Sequence, residues 1–278
     1  MLLVGAQAAL ADGGGRHEQA DDHDGCMNAI PVQAHPFGRS YADWGAQWWK
    51  WALSIPTPLN PLADPTGANA AQSQSGPVWF LAGTFCANFP VGPGCNFATA
   101  TRTVSVPVGK ALFFPILNSE CSTFEGNGTT LADLTTCARF GGDNASGLVC
   151  EVDGEAIPNV ASFRATSGLF TWGPLPDNNI LQGFGLDAPA GTTSPAVQDG
   201  FYVMLTPPCP GQHTIHFAGS IFDPGNGALL FGLDVTYHLT VASSHNGHGA
   251  LAGDGTAPNG QVPDIGQKSW GRLKVMYR

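Results

Sequence analysis

Toward the C-terminal end of this 278-residue chain, histidine and aspartate recur at the spacing of a β-strand. Side chains alternate between the two faces of a strand. In the segment around His216, Thr214, His216 and Ala218 therefore share one face, and His213, Ile215 and Phe217 share the other. In the next apolar segment Asp234, Thr236, His238 and Thr240 stand opposite Val235, Tyr237, Leu239 and Val241. A turn across Asp223 to Gly227 folds the two segments into a hairpin and brings His216, His238 and Asp234 to one face. Two imidazoles and a carboxylate are a ligand set for a divalent ion such as zinc, or an acid–base set around a bound water. Glu120, two residues after Asn118 at the end of an apolar run, is a further candidate ligand or general base. The plainer reading of the same histidines and threonines is the solvated face of an antiparallel sheet.

A second group of candidate residues is aromatic. Tyr41, Trp44, Trp48 and Trp51 recur every three or four residues, with Trp49 beside them, which predicts a helix over about 41–54. Ser40 caps it, Asp43 sits at the third helical position, and Pro56 prevents continuation. Such a stripe normally packs on a sheet. Trp48 and Trp49 are also the candidates for a platform that stacks on a sugar ring. Oxygen-rich turns at Asp153-Gly154-Glu155, Asp177-Asn178-Asn179 and Asp223-Pro224-Gly225-Asn226 suit calcium chemically, although Asp, Asn and Gly dominate ordinary turns as well.

The elements that must position these groups are short. Only 12% of residues are charged, and Gly (37) and Pro (22) are abundant, a composition of many turns joining short strands. The strongest strand signals are Phe201 to Leu205, Gln212 to Ala218 and Leu229 to Val241, separated by Pro-rich and Asp-Pro-Gly turns. Read as three successive antiparallel strands, they predict a mainly β fold, an antiparallel sandwich or jelly roll with the aromatic helix packed on it. Further strands are expected at Val78 to Thr84, Thr101 to Pro107, Lys110 to Leu117, Leu148 to Asp153 and Ser162 to Thr166, and a short helix near Leu131 to Arg139. Pro56 to Pro77 reads as a long polar linker. The net charge of −10 argues against nucleic acid and anionic membranes as partners.

Seven cysteines occur without a CxxC pair or a Cys-His zinc spacing, which points to disulfides and an oxidising compartment. The expected pairs are Cys86 with Cys95, Cys121 with Cys137, and Cys150 with Cys209, leaving Cys26 over. Residues 1–11 read as a signal-peptide remnant, 12–39 as an acidic flexible arm, 40–242 as one disulfide-stapled β domain and 243–278 as a flexible Gly/Asn/His-rich tail.

The runs Tyr41-Ala42-Asp43-Trp44-Gly45-Ala46-Gln47-Trp48-Trp49-Lys50-Trp51, Val108 to Pro115 and Asp199 to Phe217 resemble an uncharacterised family of exported bacterial β-rich proteins. The resemblance spreads over most of residues 40–242 and implies one contiguous domain, with no functional residue to carry over. Nucleophile elbows, Walker loops, dinucleotide fingerprints and zinc-protease helices are absent. The expectation is a secreted or periplasmic, metal-assisted hydrolase of a small ester, a lactone such as an acyl-homoserine lactone, or a glycan. It would use a zinc or calcium ion and no organic cofactor. The alternatives are a non-catalytic carbohydrate-binding module and a structural envelope protein.

Overall fold

The computed structural model describes residues 26–85 and 96–242. The expected signal-peptide remnant, the arm as far as residue 25, the Cys86–Cys95 bridge and the tail lie outside the described residues. In chain order the strands are β1 (Val78–Phe80), β2 (Phe97–Val106), β3 (Ala111–Ser122), β4 (Ala145–Val152), β5 (Glu155–Ala156), β6 (Arg164–Thr166), β7 (Phe170–Trp172), β8 (Ser194–Leu205), β9 (Gly211–Phe222) and β10 (Leu229–Val241). They form two five-stranded sheets, one ordered β1-β3-β8-β6 with β7 also on β8, the other ordered β2-β10-β9-β4-β5.

The fold is β-rich with two stacked sheets, as the composition predicts, but the sheets are mixed. The β1–β3 and β2–β10 pairs are parallel and the remainder antiparallel. The expected run of three antiparallel neighbours over 201–241 is also corrected. β9 and β10 pair directly, whereas β8 lies in the other sheet between β3 and β6. Pro207, Pro208 and Pro210 remove backbone donors and fix φ, so this link does not close a tight hairpin and instead carries the chain between sheets.

The main core lies between the sheets. β2 alternates strictly, with Ala98, Ala100, Arg102, Val104 and Val106 buried and Thr99, Thr101, Thr103 and Ser105 exposed. Phe114 of β3 stacks on Phe217 of β9 at 5.1 Å between ring centroids, joining the two sheets. A second core lies on the far side of the first sheet, where Ala111, Phe113, Tyr202 and Met204 face the helix α1 (Tyr41–Leu53). β3 is therefore apolar without alternation because both of its faces are covered. The Ser40–Asp43 capping box starts α1. Its aromatic stripe is core, with each polar tip satisfied by a carbonyl: Trp44 Nε1 donates to Pro36 O, Trp48 Nε1 to Leu81 O and Trp51 Nε1 to Gln72 O. Gly45 lets α1 approach β8, since a Cβ there would lie 2.5 Å from Gln198 Nε2. The helix expected near 131–139 extends further, as α2 (Leu131–Asp143), capped by Thr130 and Asp133; a one-turn helix α3 spans Ile180–Gly183.

The supposed polar linker from Pro56 to Pro77 is instead packed. Asn60 is fully buried and donates to the Ala52 and Ile55 carbonyls at 2.8 and 2.9 Å. Beneath it the buried Arg102 guanidinium donates to the carbonyls of Asp64, Ala82, Pro61 and Gly83 and to Tyr237 Oη. Asn60 within this segment and Arg102 packed against it thus bind backbone carbonyls.

Cys121 and Cys137 form the expected bridge. The Cys150–Cys209 expectation is corrected: Cys209 pairs with Cys26, 183 residues away, and Cys150 is a free thiol buried in the intersheet core. Cys150 is on the inward face of β4, beside Phe217, whereas Cys209 is in the link between the sheets. Residues 26–30, assigned to the flexible arm, lie along β8, with Ile30 N donating to Met204 O at 2.8 Å and Ala29 bridging to Leu205. No helix among the described residues is long and apolar enough to cross a membrane.

Candidate functional site

The residues singled out from the sequence occupy two separate places. His216, His238 and Asp234 stand on the outer face of the second sheet. In the β9–β10 register His216 faces Thr236 and His238 faces Thr214, so the two imidazoles share a face, offset diagonally by one pair. His216 does not turn toward His238. Its Nδ1 lies 3.3 Å from Glu151 Oε2 on β4, and its Nε2 lies 3.1 Å from Asp234 Oδ1 on β10. Each ring nitrogen therefore meets a carboxylate on opposite sides, and the ring acts as a tie across three strands. Among the described residues no group of three or more His, Cys, Asp and Glu side chains is arranged to hold a metal ion.

His213, on the inward face, makes a similar tie that the sequence did not single out. Its Nδ1 meets Asp153 Oδ2 at 2.7 Å and its Nε2 meets Cys209 O at 2.9 Å, pinning the link that carries the Cys26–Cys209 bridge. The oxygen-rich turns are occupied by their own backbone. Asp153 Oδ1 accepts from Thr214 N, Asp223 Oδ1 from Gly225 N, and Asn226 Oδ1 from Ala228 N.

Glu120, Trp48 and Trp49 come together elsewhere. They line a partly open cavity of about 150 Å³ where α1, β3, α3 and the start of β10 meet. α1 delivers the two tryptophans because its stripe faces β3 and β8; β3 delivers Glu120 because a bulge between Pro115 and Leu117 shifts the strand's facing before Asn118. Trp48 is almost wholly buried, and the buried Trp49 indole N–H faces the Tyr202 hydroxyl. Leu53, Leu62, Leu181, Phe184 and Phe231 supply apolar wall. Phe85 meets Phe184 edge-on, with ring centroids 4.8 Å apart.

The polar part of the lining is fixed by further hydrogen bonds. Trp172 Nε1 donates to Glu120 Oε1 at 2.8 Å, and Ser122 Oγ donates to Glu125 Oε2 at 2.8 Å. Asn118, which also lines the cavity, donates to Tyr202 Oη at 3.3 Å, and Gln198 Nε2 donates to Ala42 O at 3.1 Å. The Tyr202 hydroxyl donates in turn to Gln198 Oε1, and burial pushes its phenol well above the ordinary tyrosine range, keeping it a donor. Sequence reading missed Glu125, Asn127 and the α3 residues, whose only signal was that they fall in loop-like stretches flanking strands.

A partly open, mainly apolar space with a few fixed polar groups can hold a small ligand and orient one end of it. Neither the protein-family models nor the curated proteins match this chain. Among solved structures, a cysteine protease inhibitor from Entamoeba histolytica is 13% identical. The match covers 54% of this chain and 99% of that one, with a TM-score of 0.19, and supports no conclusion about fold or function.

Proposed function

We propose that this chain is an exported binding protein for a small, largely apolar ligand held in the cavity between α1 and the sheets. The observation behind the reading is the juxtaposition of Trp48, Trp49 and Glu120, from two elements far apart in sequence, around a space of about 150 Å³. A space of about that size accepts a benzene-sized group, so the buried part of the ligand has about six to eight non-hydrogen atoms. Export rests on the Cys26–Cys209 and Cys121–Cys137 bridges and on the family resemblance. A crystal soaked in benzyl alcohol should show the ring in contact with Trp48, Trp49 and Leu181. Density at the His216 face alone would sink the reading.

A hydrolase is the second reading, favoured by one observation: a buried carboxylate, Glu120, lines the cavity beside Asn118 and Ser119. A small ester or lactone seated there would put its carbonyl near a general-base candidate. Turnover of phenyl acetate above the buffer rate, lost in Glu120→Gln with melting temperature retained, would select this reading over simple binding.

A further inference from the structure

The cavity runs along an open edge of the first sheet. On the side of β3 away from β8, β1 pairs only with Ala111, Leu112 and Phe113, and Leu81 N donates to Phe113 O at 3.0 Å. Backbone groups of alternate residues face the same edge, so Pro115 comes next, and it has no N–H to donate. The chain after β1 is drawn off at the same point, because Arg102 and Tyr237 of the second sheet donate to the Ala82 carbonyl and Arg102 also to that of Gly83. Beyond the bulge after Pro115 the phase changes. Gln198, opposite Glu120, donates its N–H to Ser167 Oγ and accepts from Ser167 N, both on the far side of β8, while Ser122 N donates to Asn127 Oδ1 on the open side. Asn118, which keeps this phase and lines the cavity, stands opposite Gly200, and Gly200 pairs with Ala165 of β6. The backbone N–H and C=O of Asn118 therefore point away from β8 into the cavity, along an edge where no strand of the described residues pairs with β3 beyond Phe113.

Building on the binding reading above, we infer that the site takes a small acylated amino-acid amide, which adds to the edge of β3 as a one-residue strand. Its N–H donates to Asn118 O, its C=O accepts from Asn118 N, and its side chain fills the apolar space. An edge residue with both groups turned outward is complementary to a unit that carries a donor and an acceptor on either side of one carbon, which a simple alcohol or amine lacks. The adjoining space of about 150 Å³, walled by Leu53, Leu62, Leu181 and Phe231, suits a single aromatic side chain.

N-acetyl-phenylalanine amide, its Nα-methyl derivative and benzyl alcohol provide the test, since they share the ring and only the first carries an unblocked residue. The Nα-methyl compound loses the donor and sets a methyl group against Asn118 O. Binding is read by calorimetry on the full chain, and the backbone contact by NMR-detected amide exchange at Asn118, with no substitution in the protein. N-acetyl-phenylalanine amide should bind about tenfold tighter than either of the other two. At saturation it should slow exchange of the Asn118 amide about tenfold, and benzyl alcohol should slow it less than about threefold. Equal affinity of the parent and Nα-methyl compounds would overturn the inference. So would an Asn118 amide protected in the free protein as strongly as that of Ser119, which pairs with Asp199 of β8. In either case saturable binding of benzyl alcohol leaves the binding reading standing. Failure of all three compounds to bind would overturn both.

Discussion

Arg102 shows how a single side chain organises the region next to the cavity. Its five donor bonds go to four backbone carbonyls and one hydroxyl, with no carboxylate among them. A lysine has three donors on a point charge and cannot reproduce the planar fork. Arg102→Lys should therefore leave carbonyls of the 61–83 segment unsatisfied and cost about 3 kcal/mol, measured by urea denaturation. A cost below about 0.5 kcal/mol would mean that the segment is held by other means. Asp64 works beside it. Burial pushes its carboxyl up, but hydrogen bonds from Asn69 N, Thr66 Oγ1, Thr66 N and Gly67 N outweigh this and hold it below the ordinary carboxylate value. A lowered folded-state pKa contributes stability above the ordinary carboxylate pKa and loses it as pH falls through the folded value. Wild type should melt above Asp64→Asn at neutral pH, and the two curves should converge as pH falls through the lowered folded-state value. Cys150 is shielded by the core, and burial pushes its thiol up to about 12, so alkylation there should await unfolding.

At the scale of elements, the two bridges among the described residues staple different things. Cys121–Cys137 ties α2 to β3 over 16 residues, while Cys26–Cys209 fixes the N-terminal segment to the link between sheets over 183. Loop-closure entropy predicts about 5 kcal/mol for the longer bridge and about 3 for the shorter. Cys26→Ser should therefore lower the melting temperature more than Cys137→Ser does, and the reverse order would show that native contacts already hold residues 26–30. Much of this level was legible. The 3.6-residue stripe of α1, its Ser40–Asp43 cap and the alternation of β10 read directly, because in each one face is buried and the other is wet. Cysteine pairing failed where it depended on distant contacts: nothing local distinguishes Cys26 from Cys150 as the partner of Cys209. Asn60 and Asp64 were read as linker polarity because a buried polar side chain that binds backbone has the composition of an exposed one.

For the whole molecule, the site question turned on layers rather than on spacing. Strand alternation correctly put His216 and His238 on one face, and that face is the outside of the second sheet, where His216 is engaged by Glu151 and Asp234. The cavity draws on residues from α1, β3, α3 and β10. No local pattern announces such a meeting, since it depends on the bulge in β3 and on the packed 56–85 segment. The central claim is that ligand enters this cavity and not the histidine face. Calorimetric titration of benzyl alcohol into wild type, Leu181→Phe and the His216→Ala/His238→Ala double variant addresses it directly. The account predicts saturable binding in wild type and the histidine variant, with at least a tenfold loss in Leu181→Phe, whose larger side chain occupies the space. Binding lost in the histidine variant and kept in Leu181→Phe would contradict it.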